Sequence, residues 1–355
     1  MATFRCFRTG MLVNSSILTC RNTISKQVVR NANKKPKWLS AYLKEQYNRR
    51  LAAGPEPERH PEKFGCWNYD CEIYAFGKRF GEEFNENLLK QAFMFSSYVE
   101  NERARREDLD INLDTDNISI EDNEQLAIKG GEIAERYIKA FLRHSYPLLF
   151  EEGICAIQKY LMSDESLHYV ASNLGFKDLI KTMEYPPEDD KYCTAFKAVV
   201  GALAESQSVQ RAEVFVKDFV LPQLIGKDIN EMWEVVNPMG LLNSLLTVLG
   251  RGAPEPRLLH QSASQTMMAV YHVGIYSDKE LIGRSPGESV TIAEEMAARE
   301  ALKHLMKTSD YRPPLPIGKQ AENIKLDYEK KNISLEQLSQ KLLQNSEQRI
   351  TSGIS

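Results

Sequence analysis

The chain has 355 residues, 42% of them hydrophobic, with 45 Lys or Arg against 49 Asp or Glu and a net charge of −4. That length accommodates two domains with tails, and the charge balance excludes a protein that holds nucleic acid by uniform positive charge. No uncharged apolar run reaches the roughly 18 residues a membrane-spanning helix needs, so no transmembrane segment is expected.

Charge is unevenly spread. Residues 1–44 hold nine Lys or Arg and no acid, residues 64–235 hold 18 basic and 32 acidic residues, and residues 236–308 hold seven of each. The stretch 1–30, with Arg5, Arg8, Arg21 and Arg30 among Ser and Thr and with only short apolar patches, reads as a mitochondrial transit peptide. Residues 31–66 form a basic extension and linker. Lys34, Lys35, Lys37, Arg49 and Arg50 interleave there with Trp38, Tyr42 and Tyr47, a mixture suited to phosphates and exposed bases. An amphipathic helix packed on its own protein would carry the same pattern. Gly54, Pro55, Pro57, Pro61 and Gly65 mark the linker proper.

From Trp67 the periodicity is helical. Phe76, Phe80 and Phe84 share a face, and Leu88, Leu89, Ala92 and Phe93 follow after a turn. Residues 100–123 are dominated by charge and read as a solvated loop or insertion. Ile133, Tyr137, Ile138, Phe141 and Leu142 restore a strong helix that Pro147 ends. Further helical patterns run over 153–162, 164–174, 192–205 and 209–224, with Asp189 and Asp190 placed in a preceding loop. No strand alternation occurs across 67–235.

After Pro238 the pattern changes. A short leucine-rich helix ends at Gly250. Strands are expected at Arg257–Ser262, Met267–Tyr276 and Glu280–Arg284, with a tight turn at Ser277–Lys279. Pro286–Gly287 leads into a helix over Val290–Met306, and the order helix, three strands, helix defines a small α+β domain at 236–308. Residues 309–355 form a tail. Its proline-rich start is followed by a polar helix over 320–346, whose Leu335, Leu338, Leu342 and Leu343 are either a docking stripe or part of a frayed end. The fold class is therefore mainly α: an all-helical domain at 67–235, then an α-β-β-β-α domain.

Six cysteines are present, and Cys66 and Cys71 lack a matching second pair, so no zinc site is expected. The six histidines show no ligand spacing, and Gly130-Gly131 lacks the lysine and preceding strand of a phosphate loop.

The segment Leu88-Leu89-Lys90-Gln91-Ala92, ending in Ser97-Tyr98, resembles an early helix of the ribonuclease III domain. Asn123-Glu124-Gln125-Leu126 stands where that family begins its signature, and Phe196-Lys197-Ala198-Val199-Val200-Gly201-Ala202 is similar to its later Val-Glu-Ala-Leu-Ile-Gly-Ala helix. The α+β half, through Ala293-Glu294-Glu295-Met296-Ala297-Ala298-Arg299-Glu300-Ala301-Leu302, resembles the double-stranded-RNA-binding fold. The pairing of both with a mitochondrial leader, and Asn237-Pro238-Met239-Gly240-Leu241-Leu242, is similar to the ribonuclease III-like proteins of the mitochondrial large ribosomal subunit.

The resemblance implies a Mg²⁺ site of four carboxylates, two from each signature helix. Mapped onto this chain, those positions are Ala127, Gly131, Thr194 and Lys197. None is acidic, so no catalytic residue, metal or cofactor is expected. The duplex-gripping cluster of the second domain maps onto Val290, Thr291 and Glu294, its first-helix Glu onto Asn243, and its strand-joining loop onto 262–265, which lacks the family's Gly-Pro-x-His. Ordinary duplex binding is therefore not expected. Arg251, Arg257, Lys279 and Arg284 are the candidate contacts to irregular RNA on that half.

The partners implied are mitochondrial ribosomal RNA and neighbouring ribosomal proteins, with self-association through the helical half left open. Gly201, in a helix interior where Gly costs about 1 kcal/mol, marks either a close helix approach or simple tolerance. The function implied is structural, within the mitochondrial large subunit. The alternatives are a mitochondrial double-stranded-RNA endonuclease and a ribosome assembly factor.

Overall fold

A computed structural model describes residues 37–54, 58–63, 65, 67–109, 121–263, 265–309, 311–312, 314–318 and 324–352. The expected transit peptide, Lys34, Lys35 and Cys66 lie outside these. The chain divides into two units, Met1–Glu58 and Arg59–Ser355.

The first unit contributes helix α1 (Lys37–Ala53), which runs through the start of the expected linker. No side chain from Trp38 to Ala53 is buried, and Trp38, Tyr42, Tyr47 and Leu51 are each more than half exposed. Lateral pairs support it, among them Arg49 Nε to Glu45 Oε1 at 3.2 Å and Gln46 Nε2 to Tyr42 Oη at 2.7 Å.

The second unit opens with α2 (Tyr69–Phe80). Asn68 caps it by accepting the N–H of Asp70 and Cys71, and Gly81 ends it in the left-handed region at φ 69°. Then come α3 (Glu86–Ala92), α4 (Ser96–Asp108), α5 (Glu124–Ser145), α6 (Glu151–Leu161), α7 (Asp164–Asn173), α8 (Asp189–Ser206) and α9 (Val209–Phe219). The expected loop beginning at residue 100 is helical as far as Asp108. Glu102 pairs there with Arg105 and Arg106 at i+3 and i+4, so a charged sequence with almost no buried face still forms turns. Asp189 and Asp190 form the first turn of α8 rather than a loop, where their charge complements the helix N-terminus. Pro222 ends the expected 209–224 helix early, and Leu221–Leu224 forms a 3₁₀ turn.

The core of this half is aromatic: Phe76 meets Phe80, Phe93 and Phe176 edge to face, with ring centroids 4.9–5.7 Å apart. Helices α5 and α8 cross at its centre. A Cβ on Gly130 would fall 1.9 Å from Lys197 O, and one on Gly201 would fall 2.2 Å from Leu126 O. Both positions must lack a side chain for the two backbones to meet. Gly201 thus marks a close approach, and the approach is between two helices of the same chain.

After the single turn α10 (Ile229–Met232), α11 (Pro238–Val248) starts with Pro238 at its first position and Asn237 as cap. An antiparallel sheet of order β1-β2-β3 follows, built from β1 (Glu255–Ser262), β2 (Val270–Ser277) and β3 (Glu280–Gly287). Met267–Ala269, expected in a strand, belong to the preceding turn, and Pro286–Gly287 close β3. Asp278 and Lys279, at φ 50° and 68°, make the tight hairpin turn between β2 and β3. Helix α12 (Val290–Met306) packs on β2 and β3 through Ala293, Ala297, Ala298 and Ala301.

The tail docks. Leu338, at 3% exposure, seats α13 (Leu335–Ser352) against α11. The expected polar helix begins only at Leu335. Before it, buried Asn332 donates to Tyr146 O at 2.8 Å and Leu149 O at 2.7 Å, and its own N–H is accepted by Glu151 Oε2. This strap satisfies the carbonyls left open where α5 turns into α6.

Candidate functional site

The first half of α5 is anchored at its entry. Asn123 is buried, its amide donates to Ala92 O at 3.1 Å, and its backbone N–H donates to Met94 O at 3.1 Å. From that anchor, α5 runs beside the first half of α8, with the start of α4 as a third wall. Between them lies a cleft of about 590 Å³ lined by Phe95, Ser96, Ala127, Gly131, Thr194 and Lys197, with Glu132 and other acids at its rim. Four residues singled out from sequence, Ala127, Gly131, Thr194 and Lys197, therefore converge on one opening.

Each of the four presents a definite group. Ala127 offers a methyl, and Gly131 offers no side chain. Thr194 Oγ1 donates to Asp190 O, 3.0 Å away within its own helix. The aliphatic stem of Lys197 lies over Gly131, its Cδ 3.7 Å from where a Cβ would stand. Among the described residues Lys197 makes no ion pair. Beside it Lys191 pairs with Asp190 at 3.7 Å and stands over the Phe95 ring at 5.5 Å. Asp122, Glu124, Glu132 and Glu135 also line the cleft. Among the described residues, however, no three His, Cys, Asp or Glu side chains gather closely enough to hold a metal ion. Behind the cleft, Cys193 is buried and its thiol donates to Asp164 O at 3.1 Å. Burial first, then the Asp164 carboxylate, push that thiol up to about 12.

The basic candidates are divided between the two units. Lys37 begins α1, which also carries the exposed Arg49 and Arg50. Arg251 pairs with Glu280 at 3.5 Å beside the hairpin turn that holds Lys279. Arg257 and Arg284 lie on either side of Gly274, one on β1 and one on β3. Arg257 pairs with Glu255 at 2.7 Å and stands 5.4 Å from the Tyr276 ring. Sequence reasoning placed Asn123 at the head of a signature without assigning its bond, and it missed Asn332. Their partners are 31 and more than 180 residues away, and no local pattern signals such a bond.

Comparison with known proteins agrees with this architecture. Residues 68–203 match the family model of the large ribosomal subunit protein mL44 endonuclease domain, and residues 233–339 match the MRPL44 dsRNA-binding domain. The Caenorhabditis elegans large ribosomal subunit protein mL44 is 32% identical over 308 residues, covering 85% of this chain and 76% of its own. Ribonuclease 3 of Bacillus licheniformis is 28% identical over 243 residues, 66% of this chain and 91% of the enzyme. Among solved structures, the nuclease domain of Campylobacter jejuni ribonuclease III aligns with 42% of this chain and 99% of its own at 17% identity, with a TM-score of 0.35. By its two matched domains and its similarity along most of its length to the nematode protein, the chain belongs to the mL44 family.

Proposed function

We propose that this chain is a structural component of the mitochondrial large ribosomal subunit, a ribonuclease III scaffold that contacts ribosomal RNA and neighbouring proteins without cutting RNA. The observation that carries the reading is the cleft itself. Ala127, Gly131, Thr194 and Lys197 line it together at the positions the resemblance assigns to metal-holding carboxylates. Magnesium requires hard oxygen ligands in near-octahedral array. A methyl, a bare backbone, a hydroxyl already donating to Asp190 O and an ammonium do not fit that ion. At about 4 Å and an effective dielectric near 20, a unit positive charge opposes a divalent ion by roughly 8 kcal/mol before screening. Glu132 and three other acids also line the cleft, but among the described residues no three His, Cys, Asp or Glu side chains gather closely enough to hold a metal ion.

On this reading the chain comprises a targeting leader (1–30), a basic extension (31–66), a helical scaffold (67–235), an α-β-β-β-α domain (236–308) and a tail (309–355). Lys34, Lys35, Lys37, Arg49, Arg50, Arg251, Arg257, Lys279 and Arg284 are its candidate RNA contacts. Two measurements test it. Purified protein given duplex RNA with Mg²⁺ or Mn²⁺ should leave the RNA uncut, and cleavage abolished by changing Glu124 or Glu132 would refute the reading. The chain should also sediment with mature large subunits in near-unit amounts. Presence only in assembly intermediates would identify an assembly factor instead. Pairing of the helical half with a like domain would appear as a concentration-dependent mass in analytical ultracentrifugation.

A further inference from the structure

Strand β1 stands outside the layer that covers its neighbours. Helix α12 packs on β3 and β2, while β1 is paired only to β2, and all eight of its residues are exposed. Leu258 lies across from buried Val273, on the helix side of the sheet, yet is 50% exposed because the helix layer stops short of it. Leu259 faces the other way. A Cβ at Gly274 would lie 2.8 Å from Leu259 Cδ1 and 2.9 Å from Leu281 Cδ1, so the two leucines close over Gly274 in one apolar strip across three strands. Met267, Met268 and Val270, all exposed, lie beyond the paired His260 and His272, where β2 begins.

An edge strand open on both faces and along one side is a template for pairing and a liability if left bare. The charge pattern says what kind of cover fits. Residues 256–270 contain one charged side chain, Arg257, which Glu255 already neutralises. Phosphate-rich partners draw their affinity from several Lys or Arg contacts, and this ledge does not supply them. Arg284, across Gly274 from Arg257, makes no ion pair among the described residues and sits at the margin of the leucine strip.

We propose that β1 and the Leu259–Leu281 strip receive an extended, largely apolar segment of a neighbouring ribosomal protein, which brings a carboxylate to Arg284 and so withdraws that residue from the candidate RNA contacts. Running along the open edge of β1, such a segment places alternate side chains beside Leu258 on one face and Leu259 on the other. The inference rests on the reading of the chain as a subunit component, and the experiment separates the two.

The full chain, carrying photoreactive benzoylphenylalanine in place of the exposed Leu259, is expressed in mitochondria, and isolated large subunits are irradiated. The expected product is a cross-link to one other ribosomal protein through a single segment that contains an acid. A double variant, Leu258→Asp with Leu259→Asp, should deplete that protein from the subunit several-fold while the chain itself stays. A cross-link to RNA or to a second copy, or none in subunits that hold the chain, would overturn the inference and leave the functional reading intact. Absence of the chain from large subunits would overturn both. The photolabel decides the question even if the double variant does not fold.

Discussion

The two halves of the second unit bring their elements together differently. In the helical half, α5 and α8 meet backbone to backbone, and each contributes a glycine: Gly130 against Lys197 O, and Gly201 against Leu126 O. In the α-β-β-β-α half the concession is one-sided. Gly283 and Gly287 on β3 let α12 come down, and a Cβ at Gly283 would stand 2.6 Å from Ala301 N and 2.7 Å from Ala297 O. A reciprocal crossing fixes two helices by main-chain shape, so the side chains lining the cleft beside it can change without moving the walls. A helix laid on one side of a sheet covers only the strands beneath it, and β1 is left bare. The first arrangement keeps a cleft while its chemistry changes, and the second leaves a surface open.

Substitution can break this contrast. The largest effect is expected for Gly201→Ala or Gly130→Ala, at or above the ~3 kcal/mol that marks the upper end of ordinary overpacking. Urea unfolding should show a lower midpoint, and a wild-type midpoint would mean that the crossing can open cheaply. Gly283→Ala should cost less, about 2 kcal/mol, because α12 can lift off the sheet along one free side. If it costs more than Gly201→Ala, the contrast between the halves is wrong.

Asn332→Ala tests the strap that ties the tail to the α5–α6 corner. It leaves Leu149 O without a donor and Tyr146 O with only the N–H of Leu149, an expected loss of roughly 1–3 kcal/mol, together with faster proteolysis after residue 324. Cys193 tests the packing of α8 against the start of α7. Its thiol titrates near 9 when unfolded and is pushed up to about 12 when folded. In that window the unfolded chain binds fewer protons. The contribution is therefore whole below about pH 9 and falls by about 1.4 kcal/mol per pH unit above it. Cys193→Ala should flatten that part of the stability profile, and an unchanged slope would show that the thiol is not shielded. The smallest effect belongs to Lys129→Ala. Its exposed pair with Glu205 at 2.7 Å bridges α5 and α8 near the glycine crossing, and surface pairs contribute about 0–1 kcal/mol. A larger loss would mean that charge, not backbone fit, holds the crossing.

Much of this molecule was legible from residues alone. Helical period locates α5 and α12, and Gly175 stops its helix where a left-handed residue is needed, whereas α2 ends at Gly81, short of the Phe84 that had shared its expected face. The four cleft positions follow from the resemblance to the ribonuclease III domain. Less legible were elements whose stability is not local. The charged run 100–108 looks like loop because it lacks an apolar stripe, yet ion pairs one turn apart support a helix there.

The sequence by itself determined the order of elements, the acidic helical half and the neutral α+β half, because these depend on periodicity, turn chemistry and charge; the residue types that stand in the cleft came from the resemblance to the ribonuclease III domain. Only the tertiary structure decided that Ala127, Gly131, Thr194 and Lys197 share one opening, that Gly130 is as indispensable as Gly201, that Asn332 reaches back to close the α5–α6 corner, and that β1 lies beyond its covering helix. Each of these depends on which distant backbone comes within a few ångströms, and no local pattern of side chains encodes that distance.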